Sequence, residues 1–498
     1  MLDTHQIAGR ASVVGSGRGI YVLSLFLLAI GLARSMGAEA FGEFQQVFMF
    51  NAFFIILTLG IPETMYFFLP RLKDDERAAY FGQTLLMLFT AGLLIAAVFI
   101  IGAPFLARIQ GNPGIIGNLR IFGVYGAFMV FSAFADPVFI TYHRLGYLFI
   151  LSALHGLFFI ALTVLRFFVP VSMSALFWSM TVFGAVKLAV ALVMMMRLRP
   201  ETGPIRFFHG RNMILLQLTF ALPVAMSKAI EIISVWLDKF VVSAWLGSQA
   251  LGVFFVGAIE IPFIAVLLSS IYSVITPVLN KLNHESDNEK FAFYVNKSLS
   301  LTAKIIWPLF AYLLTFADHI IPLVFGEGYG ASVPIFRIYL LMMPLRIALF
   351  GVVVIALGKS RAVFWASLGA LAVNAVLNIV LVELMGMPGP ALATVISTWL
   401  HVAVLLVIIV RNLGVSWLTL IPCRTLTDVG VACLGSSMAA YWLTFKIDSD
   451  AWVIISTLAI FMVGYLFAGT RAGLVQLPRL NDLTKGPDSG DGTDRTDG

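Results

Sequence analysis

The feature that most limits what this chain can fold into is a succession of apolar runs of about 20 residues, each long enough to cross about 30 Å of hydrocarbon as a helix. They recur at approximately 17–35, 44–69, 80–103, 117–139, 146–168, 172–196, 213–241, 250–276, 295–318, 332–357, 362–383, 389–410, 426–445 and 451–469, which predicts about fourteen transmembrane helices. No long alternation of polar and apolar residues of the barrel kind accompanies them. The expected class is therefore an all-α integral membrane protein. Composition agrees, because only 12% of the 498 residues are charged where soluble proteins carry roughly 25%. The polar N-terminal segment MLDTHQIAGRASVVGSGRG lacks a short apolar core followed by a small-residue cleavage site. The first span is expected to serve as the targeting element.

Basic residues set the expected orientation. With both termini cytoplasmic, the inner loops collect most of the Lys and Arg, among them Arg71, Lys73, Arg77, Arg144, Arg197, Lys281, Lys290 and Arg411. The outer edges hold Arg34, Arg108, Arg120, Arg166, Lys239 and Lys446, a positive-inside bias. The net charge of +6 is thus accounted for by membrane orientation and gives no reason to expect nucleic acid as a partner. Cys423 and Cys433 have no His at ligand spacing, so neither a metal site nor a disulfide framework is expected.

An internal repeat divides the chain. MGAEAFGEF at 36–44 returns as LGSQALGVF at 246–254, with Gly37, Ala40, Gly42 and Phe44 recurring as Gly247, Ala250, Gly252 and Phe254, each 210 positions later. Both copies follow the first span of a half, so the repeat is parallel, about an axis along the membrane normal. This predicts a six-helix lobe over 1–200, an inter-lobe linker over 201–212 with Gly203 and Pro204, a second six-helix lobe over 213–412, two additional spans over 413–470, and a Gly/Asp-rich disordered tail over 471–498.

Charges inside the spans are the informative ones, since a charge at mid-bilayer costs about 2.5–3.5 kcal/mol on insertion scales and belongs in a bundle interior or a wet path. Lys228, Glu231 and Asp238 fall within a sector of roughly 80° of one predicted helix, where Lys228 and Glu231 could also pair at i, i+3. Lys228, Arg346, Arg337, Lys187 and Lys304 together predict an interior that attracts an anion. Arg offers a planar fork to phosphate oxygens, and Lys a mobile point charge. Arg337 and Arg346 are nine residues apart, about 180° around a helix, which favours Arg346 as the cavity residue and leaves Arg337 to pair with a neighbour. Lys187 and Lys304 have the alternative of snorkelling to the inner surface. Glu63, Glu231, Asp238, Glu260 and Glu383 are candidates for a proton or sodium site, with Glu63 beside Pro62 and Glu260 beside Pro262, where a kink would free backbone carbonyls. His155 and His401 read as satisfied core imidazoles, and Asp136-Pro137 as a cap or bend at the inner end of the fourth span.

The repeat, the GAEAFGEF and GSQALGVF loops, GIPETMYFFLPRL at 60–72 and WLDKFVVSAWLG at 236–247 together resemble the polysaccharide and O-antigen flippases of the multidrug/oligosaccharidyl-lipid/polysaccharide exporter superfamily. The resemblance covers nearly the whole chain apart from the tail. It implies two six-helix lobes working by alternating access and moving an undecaprenyl-diphosphate-linked oligosaccharide from the inner to the outer leaflet of a bacterial inner membrane. It also implies coupling to H+ or Na+, no other cofactor, and a cationic cavity to which Lys228 and Arg346 match. Membrane lipids and a polysaccharide polymerase or export machinery are the implied partners. A multidrug or cation antiporter of the same superfamily would want acidic and aromatic cavity walls instead. A membrane glycan polymerase or ligase would need larger outer loops than the short ones expected here, so the chain is not expected to be an enzyme.

Overall fold

The computed structural model describes residues 4–58, 60–198, 211–444 and 450–471. The expected tail beyond 471 and linker residues 201–210 lie outside the described residues. Among the described residues the chain is helical throughout, with α1 Thr4–Phe48, α2 Phe50–Leu57, α3 Ile61–Phe68, α4 Asp74–Ile109, α5 Ile116–Phe131, α6 Ala135–Thr141, α7 Leu145–Phe168 and α8 Met173–Arg197 before the long α9, Arg211–Gly257. The rest comprises α10 Pro262–His284, α11 Asn288–Phe325, α12 Val333–Leu340, α13 Phe350–Ala356, α14 Ser360–Met385, α15 Pro388–Leu413, α16 Trp417–Leu420, α17 Cys423–Thr444 and α18 Asp450–Arg471.

Twelve helical stretches among the described residues are long and apolar enough to cross a membrane, against the fourteen expected. The expected second span ends at Leu57 and restarts at Ile61, with Gly60 left-handed at φ 67° between them. Pro62 opens the new helix, where its missing N–H costs nothing. The two pieces are eight residues each, too short to span alone. The expected thirteenth span is α17, whose 22 residues include Thr427, Asp428, Ser436 and Ser437, and it falls outside the twelve.

The chain divides into two compact units, one of residues 1–256 with 382–390 and one of 257–381 with 391–498. In the first, α1 packs along α7, α4 along α5, and α5 along α8. In the second, α17 and α18 pack on each other and both lie against α11. Packing in lipid gains little from burying apolar area and depends on close backbone approach and interhelical hydrogen bonds. α9 in the first unit shows both.

The matched glycines of the repeat share one backbone geometry. Gly37 has φ 77°, ψ 170° and Gly247 has φ 84°, ψ −176°, a region essentially closed to residues with a Cβ. Each breaks its long helix one turn before a close crossing. A Cβ on Gly42 would lie 1.8 Å from the Ser248 carbonyl oxygen, and one on Gly252 would lie 2.0 Å from that of Ala38. Ser248 is the repeat mate of Ala38, so the contact is reciprocal and locally two-fold.

Buried amides tie the same helix down at both ends. Toward Gly247, the Gln46 side chain donates to the Gln110 carbonyl at 3.1 Å and to Ser243 Oγ at 2.9 Å, while Asn112 Nδ2 donates to Gln46 Oε1 at 2.9 Å. Near the start of α9, Gln217 Nε2 donates to Thr64 Oγ1 at 2.9 Å and Thr84 Oγ1 at 3.1 Å, and Gln83 donates to Gln217 Oε1 at 3.2 Å. Gln46, Gln110 and Gln217 are wholly buried, so removing one strands its partners. Gln46→Leu or Gln217→Leu should destabilise the protein by about 1–3 kcal/mol, read as a lower thermal midpoint in detergent. An unchanged midpoint for both would show that the networks do not hold α9.

Candidate functional site

Breaks in the helices place the charged groups of the first unit. The Gly60 turn and the restart at Ile61 put Glu63 in the first turn of α3. A 3-10 turn at Ser132–Phe134 then starts α6 with Asp136 in its first turn. Regular helices carry the rest: Arg18 and Tyr21 on α1, His155 on α7, Lys187 on α8 and Lys228 on α9. These side chains line one cavity of about 860 Å³ within the first unit.

Two of its three Lys and Arg side chains are matched by carboxylates. Lys228 Nζ bonds Glu63 Oε1, and Arg18 lies 3.5 Å from Asp136 Oδ2. The alternative pairing of Lys228 with Glu231 is not made, because Glu63 of α3 is the carboxylate at hand and Glu231 is exposed. Lys187 has no carboxylate within 4 Å among the described residues; its Nζ sits 3.4 Å from His155 Nδ1 and 3.9 Å from the Met129 sulfur. His155 is 3% exposed and packed against Tyr21, Phe159 and Phe183, with ring centroids 4.7, 4.7 and 4.9 Å away. Its Nε2 has no hydrogen-bond partner. With His155 neutral, the five charges leave the cavity with a single net positive charge.

The other expected site residues lie elsewhere. Asp238 is buried on α9 and accepts from the Lys239 backbone N–H at 2.6 Å, with Lys239 Nζ 3.3 Å away. Arg337 and Arg346 do not share a helix, because a 3-10 turn at Met343–Leu345, containing Pro344, follows the end of α12. The expected separation of 180° around one helix therefore does not apply. Arg337 is bidentate to Asp318 at 3.3 and 2.5 Å. Arg346 reaches Glu260 at 2.6 Å beside a pocket of only about 30 Å³ in the second unit. Lys304 is half-buried on α11. The first unit thus brings together Lys228, Lys187 and Glu63 of the expected set.

Three cavity residues escaped the sequence argument. Arg18 belongs to the polar N-terminal segment MLDTHQIAGRASVVGSGRG, Asp136 reads as a cap, and His155 as core. Only Asp136, a carboxylate beside a proline inside an apolar run, carries a signal of its own, the same one that marks Glu63.

The chain belongs to a family of polysaccharide biosynthesis proteins, whose model it matches over residues 31–334. No curated protein matches the sequence. Its fold is that of solved transporters. The lipid II flippase MurJ in an inward closed conformation superposes with a TM-score of 0.71 at 14% identity, over 93% of this chain and 98% of that one. A multidrug resistance MATE transporter of the MOP superfamily in an inward-facing conformation gives 0.64 at 16% identity, over 80% and 94%. A MOP superfamily transporter from Pyrococcus furiosus, described as having a binding pocket of reversed polarity, gives 0.56 at 14% identity, over 82% and 96%. The protein is thus a multi-pass membrane protein of the polysaccharide biosynthesis family with the fold of the MOP superfamily.

Proposed function

We propose that this protein is a flippase that carries a lipid-linked oligosaccharide from the inner to the outer leaflet of the bacterial inner membrane by alternating access, in assembly of O-antigen, capsule or exopolysaccharide. The observation that carries the reading is the cavity of the first unit: about 860 Å³, set among membrane-crossing helices, with three basic side chains against two carboxylates. Such a chamber suits a diphosphate joined to sugars, whose charge would otherwise meet hydrocarbon. Family membership supports a polysaccharide precursor as the cargo, and an undecaprenyl diphosphate carrier fits both the charge and the lipid path. Lys228 and Lys187 are the proposed diphosphate contacts, and Arg346, Arg337 and Lys304 are proposed separately as anion-attracting groups of the second unit. Glu63, Glu231, Asp238 and Glu260 are the proposed proton or sodium groups, both termini are cytoplasmic, and a polymerase or export complex takes the product.

The test is reconstitution in vesicles with a fluorescent undecaprenyl-diphosphate oligosaccharide. The purified protein should move label between leaflets, faster with an ion gradient imposed, and cells lacking the protein should accumulate lipid-linked repeat units facing the cytoplasm. Vesicles in which the label stays in its original leaflet under every gradient would overturn the reading.

A further inference from the structure

Of the basic groups in the cavity, Lys187 is the one whose neighbour is a second titratable base instead of an acid. We propose that Lys187 and His155 form a proton-gated anion site, which takes the diphosphate of the cargo when both nitrogens are protonated and releases it when the shared proton leaves. The inference rests on the flippase reading above and names how its site is regulated.

The geometry defines two states. In the first, Lys187 Nζ donates to the lone pair of His155 Nδ1 at 3.4 Å, and the imidazole proton resides on Nε2, where it has no acceptor. A proton from water added at Nδ1 makes the ring an imidazolium, and the lysine can no longer donate to it. The Nζ–H and Nδ1–H donors are then side by side, placed for one oxygen beside the pair to accept from both. Two like charges at that separation repel strongly in a site walled by Tyr21, Phe159 and Phe183. An anion between them removes the repulsion, so proton and anion bind together. By linkage, each must then tighten the other by the same factor.

The other groups facing the pair do not supply this response. Arg18 and Lys228 on α1 and α9 are held by Asp136 and Glu63 on α6 and α3. Asp136 lines the same cavity. Tyr21 on α1 and Tyr66 on α3 line the same space, and phenols stay neutral until about pH 10. From α5 the pair meets the Met129 sulfur, which does not titrate. The His155 ring is the group whose ordinary titration falls near neutrality.

The experiment is equilibrium binding of a short-chain prenyl diphosphoglucose to the full-length protein in nanodiscs at about pH 6 and about pH 7.5. The probe is a diphosphate diester, so its own charge is constant over that range. Wild type should bind at least about tenfold more tightly at the lower pH, and the probe should drive the His155 ring signals toward imidazolium in nitrogen-labelled protein. His155→Gln should bind with a pH dependence of less than about twofold, and Lys187→Met should bind weakly at both values. Because glutamine at 155 could disturb packing, the imidazolium signature in unmodified protein stands as an independent readout. Binding by wild type with no pH dependence, or His155→Gln retaining the wild-type dependence, would overturn the gate and leave the flippase reading intact. No binding of the probe at either pH would instead overturn the diphosphate cavity itself.

Discussion

Gly42→Leu is expected to leave almost no native protein in the membrane. A Cβ there would sit 1.8 Å from a backbone oxygen of Ser248 and 2.6 Å from its carbonyl carbon. Ordinary contact needs about 3.5 Å, and a main-chain atom in mid-helix cannot swing aside. α1 and α9 would have to part, and the buried hydrogen bonds that join Gln46 and Gln110 to the Ser243 hydroxyl would break with them. The expected cost is about 3 kcal/mol or more, at or beyond the upper end of ordinary overpacking. Gly252→Leu should match it, since the clash with Ala38 is its mirror. Gly37→Ala separates the two causes: nothing lies within 4 Å of its Cβ position, so it should cost only the backbone strain of about 1–3 kcal/mol. Yield of membrane-inserted protein and the thermal midpoint in detergent measure all three. A Gly42→Leu protein melting at the wild-type temperature would show that the two helices are not held at this crossing.

Lys228→Ala should lower translocation at least about tenfold while the protein remains at its normal level in the membrane. Lys228 is partly exposed to the cavity, and it neutralises a carboxylate whose second oxygen has no partner. Without the lysine, Glu63 is an uncompensated anion in a low-dielectric space, and the cavity loses its positive balance. The double variant Lys228→Ala, Glu63→Ala restores that balance without restoring a donor for the cargo. Translocation by the double variant should stay low in the vesicle assay. Full recovery would assign the pair a purely structural role and take Lys228 out of the site.

Length and hydropathy were enough to read an all-helical membrane protein and most of its spans, because twenty apolar residues have few alternatives in lipid. The repeat was legible from Gly37, Gly42, Gly247 and Gly252 because backbone geometry and close approach restrict those positions to one residue type. What hydropathy could not show is where a span breaks. Leu57–Ile61 is as apolar as its flanks, yet the break there turns Glu63 toward Lys228. A similar interruption at Met343–Leu345 cancels the helical-wheel argument for Arg337 and Arg346. Pairing across helices is equally hidden: nothing local in the sequence joins Lys187 to His155, 32 residues away, or Lys228 to Glu63, 165 residues away. A lone histidine on an apolar face is usually core, and only its lysine neighbour distinguishes this one.

The placement of α9 bears on how the polypeptide matures. By the repeat it opens the second half, yet from Arg211 to Val256 it is grouped with the first, fastened at Gln217, Lys228 and Ser243. A chain inserted from its N-terminus therefore holds Gln46, Thr64 and Thr84 short of their α9 partners until a helix from beyond the linker arrives. Cutting the gene between the duplicated halves would leave an orphaned N-terminal fragment, whereas a cut after residue 257 would leave that fragment with every partner its buried glutamines require.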